Sequence, residues 1–312
     1  MAPRVLTNTL RTFKLNTGNS IPAVGLGTWQ STDDDVYNAV LSAFKAGYRH
    51  IDTALVYGNE VPVGKAIADS GIPRSELFIT TKLASIDHLD PLEALNKSLK
   101  NLGLEYVDLY LMHWPVALNP KNDSHPTFPT LPNGKRDILL DRDFVTTYVD
   151  MQELVELGLA KAIGVSNFTV KNLKKLLDSP EVTIPPAANQ VELHPYLPQP
   201  KLLEFCKQND IILEAYSPLG STNSPLLENE TLVKLAEKYK VDPANVLISW
   251  AVWRGTVVLP KSVTPSRIES NFNVVNLSDE DGEAVNEISS KLGTKRLISP
   301  DWDPVVVFDD DE

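Results

Sequence analysis

An α/β fold closed into a (β/α)8 TIM barrel is predicted by two observations: eight short β-rich runs are each followed by helical material, and few of those runs alternate polar with apolar residues. Strands that are apolar on both faces belong to a parallel sheet covered by helices. Eight β/α units in one chain of 312 residues favour a closed barrel over an open sheet. That length, with 42% hydrophobic residues, suits one large core, so residues 1–312 are expected to form one domain.

The elements follow in order. Residues 12–22, TFKLNTGNSIP, carry a turn signal at Asn16, Thr17, Gly18 and Asn19 and predict an N-terminal β-hairpin. VGLGT (24–28) is the first barrel strand, and Val36, Ala39, Val40, Ala43 and Phe44 line one face of the helix after it. RHID precedes a helix from about Val63, and LFITTK precedes one that Asp90 caps and Pro91 opens. YVDLYLM leads to a helix over Phe144 to Leu157, closed by Gly158, and KAIGV to one over Val170 to Leu177. ANQVEL precedes a helix near Leu202 to Lys207, IILEAY precedes two helical patterns over Leu232–Tyr239 and Asn245–Trp253, and TVVLP is the last strand.

An open dinucleotide-binding sheet is the competing reading. Gly25-Leu26-Gly27 follows a strand about 25 residues before Asp52, but the third glycine of that fingerprint is Gln30 here. No solenoid repeat or Gly/Ser linker divides the chain. Residues 115–142 form a stretch too long for an ordinary barrel loop, and it follows the fourth strand, over the mouth where barrel active sites lie. The tail ISPDWDPVVVFDDDE is a second such segment; its Trp302 and Phe308 either cap a pocket or pack outside.

Composition removes several classes of function. A formal net charge of -12 and a pI near 4.9 give no general attraction for nucleic acid or anionic membranes, so any anion site is local. The lone Cys206 excludes an internal disulfide, and the N-terminus lacks the long apolar core of a signal peptide, so a cytoplasmic protein is expected. No apolar run approaches a membrane span. The five histidines show no metal-binding spacing, so no metal is expected. A small-molecule ligand and a monomer or weak dimer complete the expectation.

Asp52, Tyr57, Lys82 and His113 stand at the ends of the second, third and fourth barrel runs. In a barrel such residues share one cleft. An ammonium beside a phenol favours phenolate, so Lys82 is expected to lower the pKa of Tyr57, with Asp52 holding the lysine charged and His113 orienting a carbonyl. Such a site protonates a developing alkoxide. The bland reading is a rim tyrosine beside a structural ion pair. Glu192 and Glu214, at the ends of the sixth and seventh runs, offer a carboxylate pair for glycoside hydrolysis as a further alternative.

A second constellation lies in LPKSVTPSRIESNF, Leu259 to Phe272, where Thr264 caps and Pro265 opens a helix flanked by Lys261 and Arg267. The pattern suits a phosphate. Tyr216 could stack on a flat ring while Ser217 and Ser221 approach a pyrophosphate, and Ser166, Asn167 and Gln190 offer amide and hydroxyl partners to a carboxamide.

GYRHIDTALVYGNE, YVDLYLMHWP, KAIGVSNF, NQVELHP, EAYSPLG and LPKSVTPSRIESNF resemble, in order and spacing, the motifs of the aldo-keto reductases, from the hairpin to about Asn271. Within that family the chain is most similar to fungal reductases of aldehydes and ketoesters, also described as NADP-dependent glycerol dehydrogenases. The resemblance implies NADPH as cofactor, Asp52, Tyr57, Lys82 and His113 as the catalytic set, and Tyr57 as proton donor to a small carbonyl substrate. It further implies Thr28, Trp29 and Asp52 near the nicotinamide ribose, Ser166, Asn167 and Gln190 on the carboxamide, and Tyr216 stacked on the ring. Ser217, Leu219 and Ser221 would meet the pyrophosphate. Lys261, Ser262, Val263, Thr264, Arg267 and Asn271 would hold the adenosine phosphate and base. Trp29, Tyr57, Ala84, His113, Trp114 and Trp302 would line the substrate pocket.

Two positions depart from the family pattern. Ala84 replaces a common aromatic residue, which is expected to widen one pocket wall. Ser270 replaces a common glutamate before Asn271, which leaves the adenine contacts open. Beyond Asn271 the match is weak. Some family members bind NADPH as sensors or regulatory partners; the intact set of four groups favours an enzyme.

Overall fold

A computed structural model describes residues 5–7, 11–221 and 224–308. Three short strands come first: β1 (Val5–Thr7), β2 (Thr12–Lys14) and β3 (Ser20–Pro22). Eight parallel barrel strands follow, adjacent in chain order: β4 (Leu26–Gly27), β5 (His50–Asp52), β6 (Phe78–Leu83), β7 (Leu109–Met112), β8 (Ile163–Ser166), β9 (Ala188–Glu192), β10 (Ile212–Tyr216) and β11 (Val257–Val258). Between and after them run helices α1 (Asp33–Ala46), α2 (Glu60–Asp69), α3 (Pro91–Leu102), α4 (Phe144–Glu156), α5 (Val170–Leu177), α6 (Pro200–Gln208), α7 (Glu230–Tyr239), α8 (Pro243–Trp253) and α9 (Pro265–Asn271). A last strand, β12 (Asn273–Val275), and helix α10 (Asp279–Leu292) complete the chain's regular structure.

The sheet closes where its first and last strands meet. Val24 pairs with Val258 and Gly27 with Lys261 in parallel, and the N–H of Gly25 donates to the Val258 carbonyl at 3.0 Å. A Cβ on Gly25 would lie 2.7 Å from Nδ1 of His50 and 2.8 Å from Leu259. The Gly-Leu-Gly run is therefore a packing requirement of barrel closure, which disposes of the open-sheet reading.

The predicted hairpin forms between β2 and β3, with Phe13 opposite Ile21. Leu15 and the fully buried Ile21 pack with Phe78, Leu109, Leu111, Val257 and Leu259, plugging the barrel where its strands begin. Only the opposite rim stays available to a ligand. Three elements are absent from the sequence reading. β1 and β12 pair with each other, and α10 is capped by Ser278, whose hydroxyl accepts the Asp281 N–H. Gly282 lets α10 approach Trp253, where a Cβ would come within 2.5 Å of the indole.

The long stretch after β7 is ordered by short antiparallel contacts, Leu118 with Ile138 and Thr130 with Arg136. Asp137 ties it together, accepting from Asn119 at 3.1 Å and Asn122 at 2.9 Å. Its buried Val116 and Leu118 pack with Trp302 and Val307 of the tail, so loop and tail form one cover. Residues 309–312, the acidic end of the predicted tail, lie outside the described residues.

Candidate active site

β5 ends in Asp52, β6 carries Lys82 and His113 directly follows β7, so three adjacent strands deliver three groups to one rim. Tyr57 arrives on a one-turn 3-10 helix, Leu55–Tyr57, that ends at Gly58 with φ 70°. The ammonium of Lys82 donates to Asp52 Oδ1 at 2.7 Å, to the Thr53 carbonyl at 2.9 Å and, more weakly, to the Tyr57 hydroxyl at 3.4 Å. All three of its protons are thereby directed. The Tyr57 and His113 rings meet edge to face with centroids 5.7 Å apart.

Burial and charge compete inside this cluster. Burial works against the Lys82 charge, but Asp52 and the Tyr57 hydroxyl outweigh it and raise the lysine's pKa. His113 is held well below the usual imidazole range, by burial first and Lys82 second, so its ring is neutral near pH 7. Tyr57 departs from expectation. Burial raises its pKa more than Lys82 lowers it, so the group stands as a protonated phenol. The lysine moderates the shift without reversing it.

Behind Asp52 lies a second layer. Gln190 Nε2 donates to Asp52 Oδ2 at 2.8 Å and to Glu214 Oε2 at 3.3 Å. Burial pushes the Glu214 carboxyl up to about 8, with Asp52 adding to the effect, and its Oε1 has no hydrogen-bond partner among the described residues. Glu192 is turned elsewhere, to the backbone of Leu297 and Ile298. Both glutamates are fully buried, and they share no open cleft for a sugar. The glycosidase alternative fails on that point.

The remaining expected residues fall in two groups. Thr28 donates to the Asp52 carbonyl at 2.9 Å, and Ser166 to the Gln190 carbonyl at 2.7 Å. Asn167 stands in left-handed backbone with φ 64°, donates to the His113 carbonyl at 2.9 Å and accepts from the Tyr216 hydroxyl at 2.8 Å. One hydrogen-bonded network thus joins Thr28, Asp52, Lys82, Tyr57, Gln190, Ser166, Asn167, Tyr216 and His113. Ser217 and Ser221 also have positive φ, 50° and 67°, in the turn after β10 that brings half-buried Leu219 beside them.

The second group lies on the segment after β11, set against β4 by the Gly27–Lys261 pairing. Lys261, Val263, Thr264 and Arg267 are exposed, Ser262 is half-buried and Asn271 is buried. Thr264 precedes α9 without a side-chain cap; Ser262 Oγ instead accepts the Thr264 N–H at 3.1 Å. Neither Lys261 Nζ nor the Arg267 guanidinium makes a hydrogen bond or ion pair with a described residue. Since α9 has only seven residues, the positive potential here rests on those two cations more than on the helix terminus.

Around the mouth, Trp114 stacks on His113 at 6.5 Å and meets Trp302 at 5.4 Å, while Trp29 is 42% exposed. Trp302 packs on Trp114 and on the buried Val116 and Leu118 of the long loop. Ala84 is 1% exposed, so the extra room expected beside it is not open surface in this structure. Among the described residues no group of three or more His, Cys, Asp or Glu is placed to hold a metal ion, and no helix is long and apolar enough to cross a membrane.

The sequence pattern of the Aldo/keto reductase family matches residues 23–290. The chain belongs to that family. It is 53% identical, over 98% of its own length and 99% of the relative's, to glycerol 2-dehydrogenase (NADP(+)) of Saccharomyces cerevisiae. To aldehyde reductase YPR1 of the same organism it is 50% identical over the same shares. The solved structure of the aldose reductase from Schistosoma japonicum is similar with a TM-score of 0.85 at 36% identity, covering 93% of this chain and 94% of that one.

Two buried residues of this aldo-keto reductase support the site without standing out in the sequence. Asn59 donates to the Thr28 carbonyl at 2.9 Å and the Ser31 carbonyl at 3.2 Å, fixing the turn after β4. Glu60 accepts from Thr81 at 2.7 Å, beside Lys82. Their only signal was position, at the end of the segment that holds Asp52 and Tyr57.

Proposed function

We propose that this aldo-keto reductase reduces the carbonyl group of small aldehydes and ketones, ketoesters included, to an alcohol, with NADPH as cofactor and Tyr57 as proton donor. The observation that carries the reading is Lys82, hydrogen-bonded to Asp52 at 2.7 Å while it reaches the Tyr57 hydroxyl at 3.4 Å. Two carbonyl-reducing or alcohol-oxidising relatives at half identity or more support the reaction class. A cytoplasmic location accords with it.

The residues present fit NADPH. Gln190 gives its amide N–H groups to Asp52 and Glu214, which leaves its Oε1 to accept from a carboxamide. Tyr216 is held by Asn167 through its hydroxyl, presenting a ring for stacking. Lys261 and Arg267 are exposed, and their charged groups have no partner among the described residues, which suits the extra phosphate that distinguishes NADPH from NADH. When bound, NADPH supplies the hydride that adds to the carbonyl carbon.

The protein's own work is at the oxygen. Neutral His113 donates an N–H to the carbonyl and positions it near the Tyr57 hydroxyl. As negative charge develops on that oxygen, the phenol proton moves to it, because an alkoxide is a far stronger base than a phenolate. Lys82 sits 3.4 Å from the oxygen left behind and stabilises its charge, and Asp52 keeps the lysine in place. Alcohol oxidation runs the same proton path backwards.

The test is loss of NADPH absorbance with an activated aldehyde or α-ketoester. Tyr57→Phe should lower kcat by about 10²–10⁴-fold, the usual worth of a positioned acid, while cofactor binding measured by fluorescence persists. Full turnover in that variant would refute the proton path. Tight NADPH binding without turnover across a broad carbonyl panel would instead identify a nucleotide sensor.

A further inference from the structure

The start of the tail is tied to the end of β9 by a buried carboxylate. Glu192, the last residue of β9, is fully buried; its Oε1 accepts the Leu297 N–H at 2.8 Å and its Oε2 accepts the Ile298 N–H at 2.7 Å. His194 Nε2 lies 2.7 Å from the same Oε1, while His194 Nδ1 has no partner among the described residues. That pattern belongs to an Nε2–H tautomer donating to a carboxylate. Gln199 Nε2 donates to the Glu192 carbonyl at 2.6 Å and steadies the end of β9, and the Lys295 N–H donates to the Tyr196 carbonyl at 2.8 Å as a second bond between tail and barrel.

A buried carboxylate needs its charge satisfied, and here the donors come mainly from the tail's backbone, 105 residues further along the chain. Without the tail, Oε2 would lose the only donor it has among the described residues. The attachment is therefore strong and specific in register. It fixes residues 297 and 298, and four residues later Trp302, 3% exposed, stands against Trp114 at 5.4 Å. Trp114 in turn lies over His113. At its far side Trp302 carries Arg136 of the long loop, with the guanidinium 4.0 Å from the ring.

We propose that Glu192, assisted by His194, is a positioning residue for substrate selection: by clamping Leu297 and Ile298 it sets the height of Trp302 above the catalytic rim. This rests on the carbonyl-reductase reading. The Glu192 carboxylate hydrogen-bonds His194, Leu297 and Ile298 and none of the reacting groups; the residue meets Tyr216 as its partner in the β9–β10 register. Its effect falls on substrates large enough to reach Trp302, such as aryl ketoesters, and spares small aliphatic aldehydes.

Glu192→Gln keeps the side-chain shape but sets an amide N–H2 against a backbone N–H, a donor facing a donor. The expected result is a KM for a bulky aryl ketoester raised about tenfold, the worth of one large aromatic contact, with kcat little changed. Both constants for a small aliphatic aldehyde should stay within about twofold, well under the 1.4 kcal/mol of a tenfold effect. Trypsin should cut faster at Lys295 or Arg296. Leu297→Pro removes one donor from the tail side and leaves the barrel untouched, so it should reproduce the split even where Glu192→Gln folds poorly. Equal changes for both substrates, or unchanged constants with unchanged trypsin cleavage, would overturn the proposal. Failure of the wild-type protein to reduce the small aldehyde would instead refute the reductase reading itself.

Discussion

The two ends of the site differ in how much of their order exists before a ligand arrives. At the chemical end Asp52 and Lys82 are 3% and 1% exposed and share one network with Gln190, Asn167 and Tyr216. At the other end Lys261 and Arg267 are exposed, and neither the ammonium nor the guanidinium makes a hydrogen bond or ion pair with a described residue. Buried charges interact strongly and must be satisfied by the fold itself, whereas exposed cations are screened and can wait for a partner. The chemical end is thus part of what the folded state must satisfy, and the phosphate end is not.

The sharpest way to break that contrast is Lys82→Ala. It leaves Asp52 buried opposite a lost cation, so unfolding free energy should fall by about 3–5 kcal/mol, as when one member of a buried pair is removed. Turnover should vanish with it. Denaturant unfolding checks the first outcome and NADPH consumption the second. A variant as stable as the wild type would mean that the ion pair lies in a wetter environment than its 0% and 5% side-chain exposures indicate.

Glu214 sharpens the same contrast through pH. Burial raises its carboxyl to about 8 in the folded protein, against about 4.3 for an unfolded chain. Between those values the folded state holds a proton that the unfolded state has released, so stability from this group falls as pH rises through that window. Glu214→Gln removes the dependence. The wild type should lose on the order of a few kcal/mol more than the variant between about pH 5 and pH 8. His50 and His88, lowered by burial to about 4 and about 3, act with the opposite sign below about pH 6.5, so the difference between the two proteins is the quantity to measure. Parallel stability curves would place Glu214 in contact with water.

Much of this arrangement was legible in the sequence, for reasons that also explain what was not. Strands buried on both faces write continuous apolar runs, so β5 to β10 stood out, and barrel topology alone placed Asp52, Lys82 and His113 on one rim. The β1–β12 pair left no trace, because each strand has three residues and the partners are far apart in sequence. The direction of the Tyr57 shift was missed because spacing shows a nearby ammonium but not the burial that outweighs it. At Ala84 the sequence shows which atoms are missing, not what fills their place. Glu192 was read as a possible acid because backbone donors such as Leu297 and Ile298 leave no side-chain signature.

The smaller effects belong to the phosphate end. Arg267→Ala should weaken NADPH binding by about 1.5–3 kcal/mol, the range for a charge-assisted hydrogen bond, while NADH binding and the melting temperature stay the same. Equal weakening of both cofactors would move Arg267 from the extra phosphate to the base. Salt should act on the same end alone. With a Debye length near 10 Å at 0.1 M, raising ionic strength screens exposed Lys261 and Arg267 but hardly reaches the buried Lys82–Asp52 pair. The Kd for NADPH should therefore rise with added salt while kcat at saturating cofactor stays level, and Arg267→Ala should show the shallower salt slope. A kcat that fell in step with affinity would show that the two ends are coupled, and that the chemical network depends on the cations at the far rim.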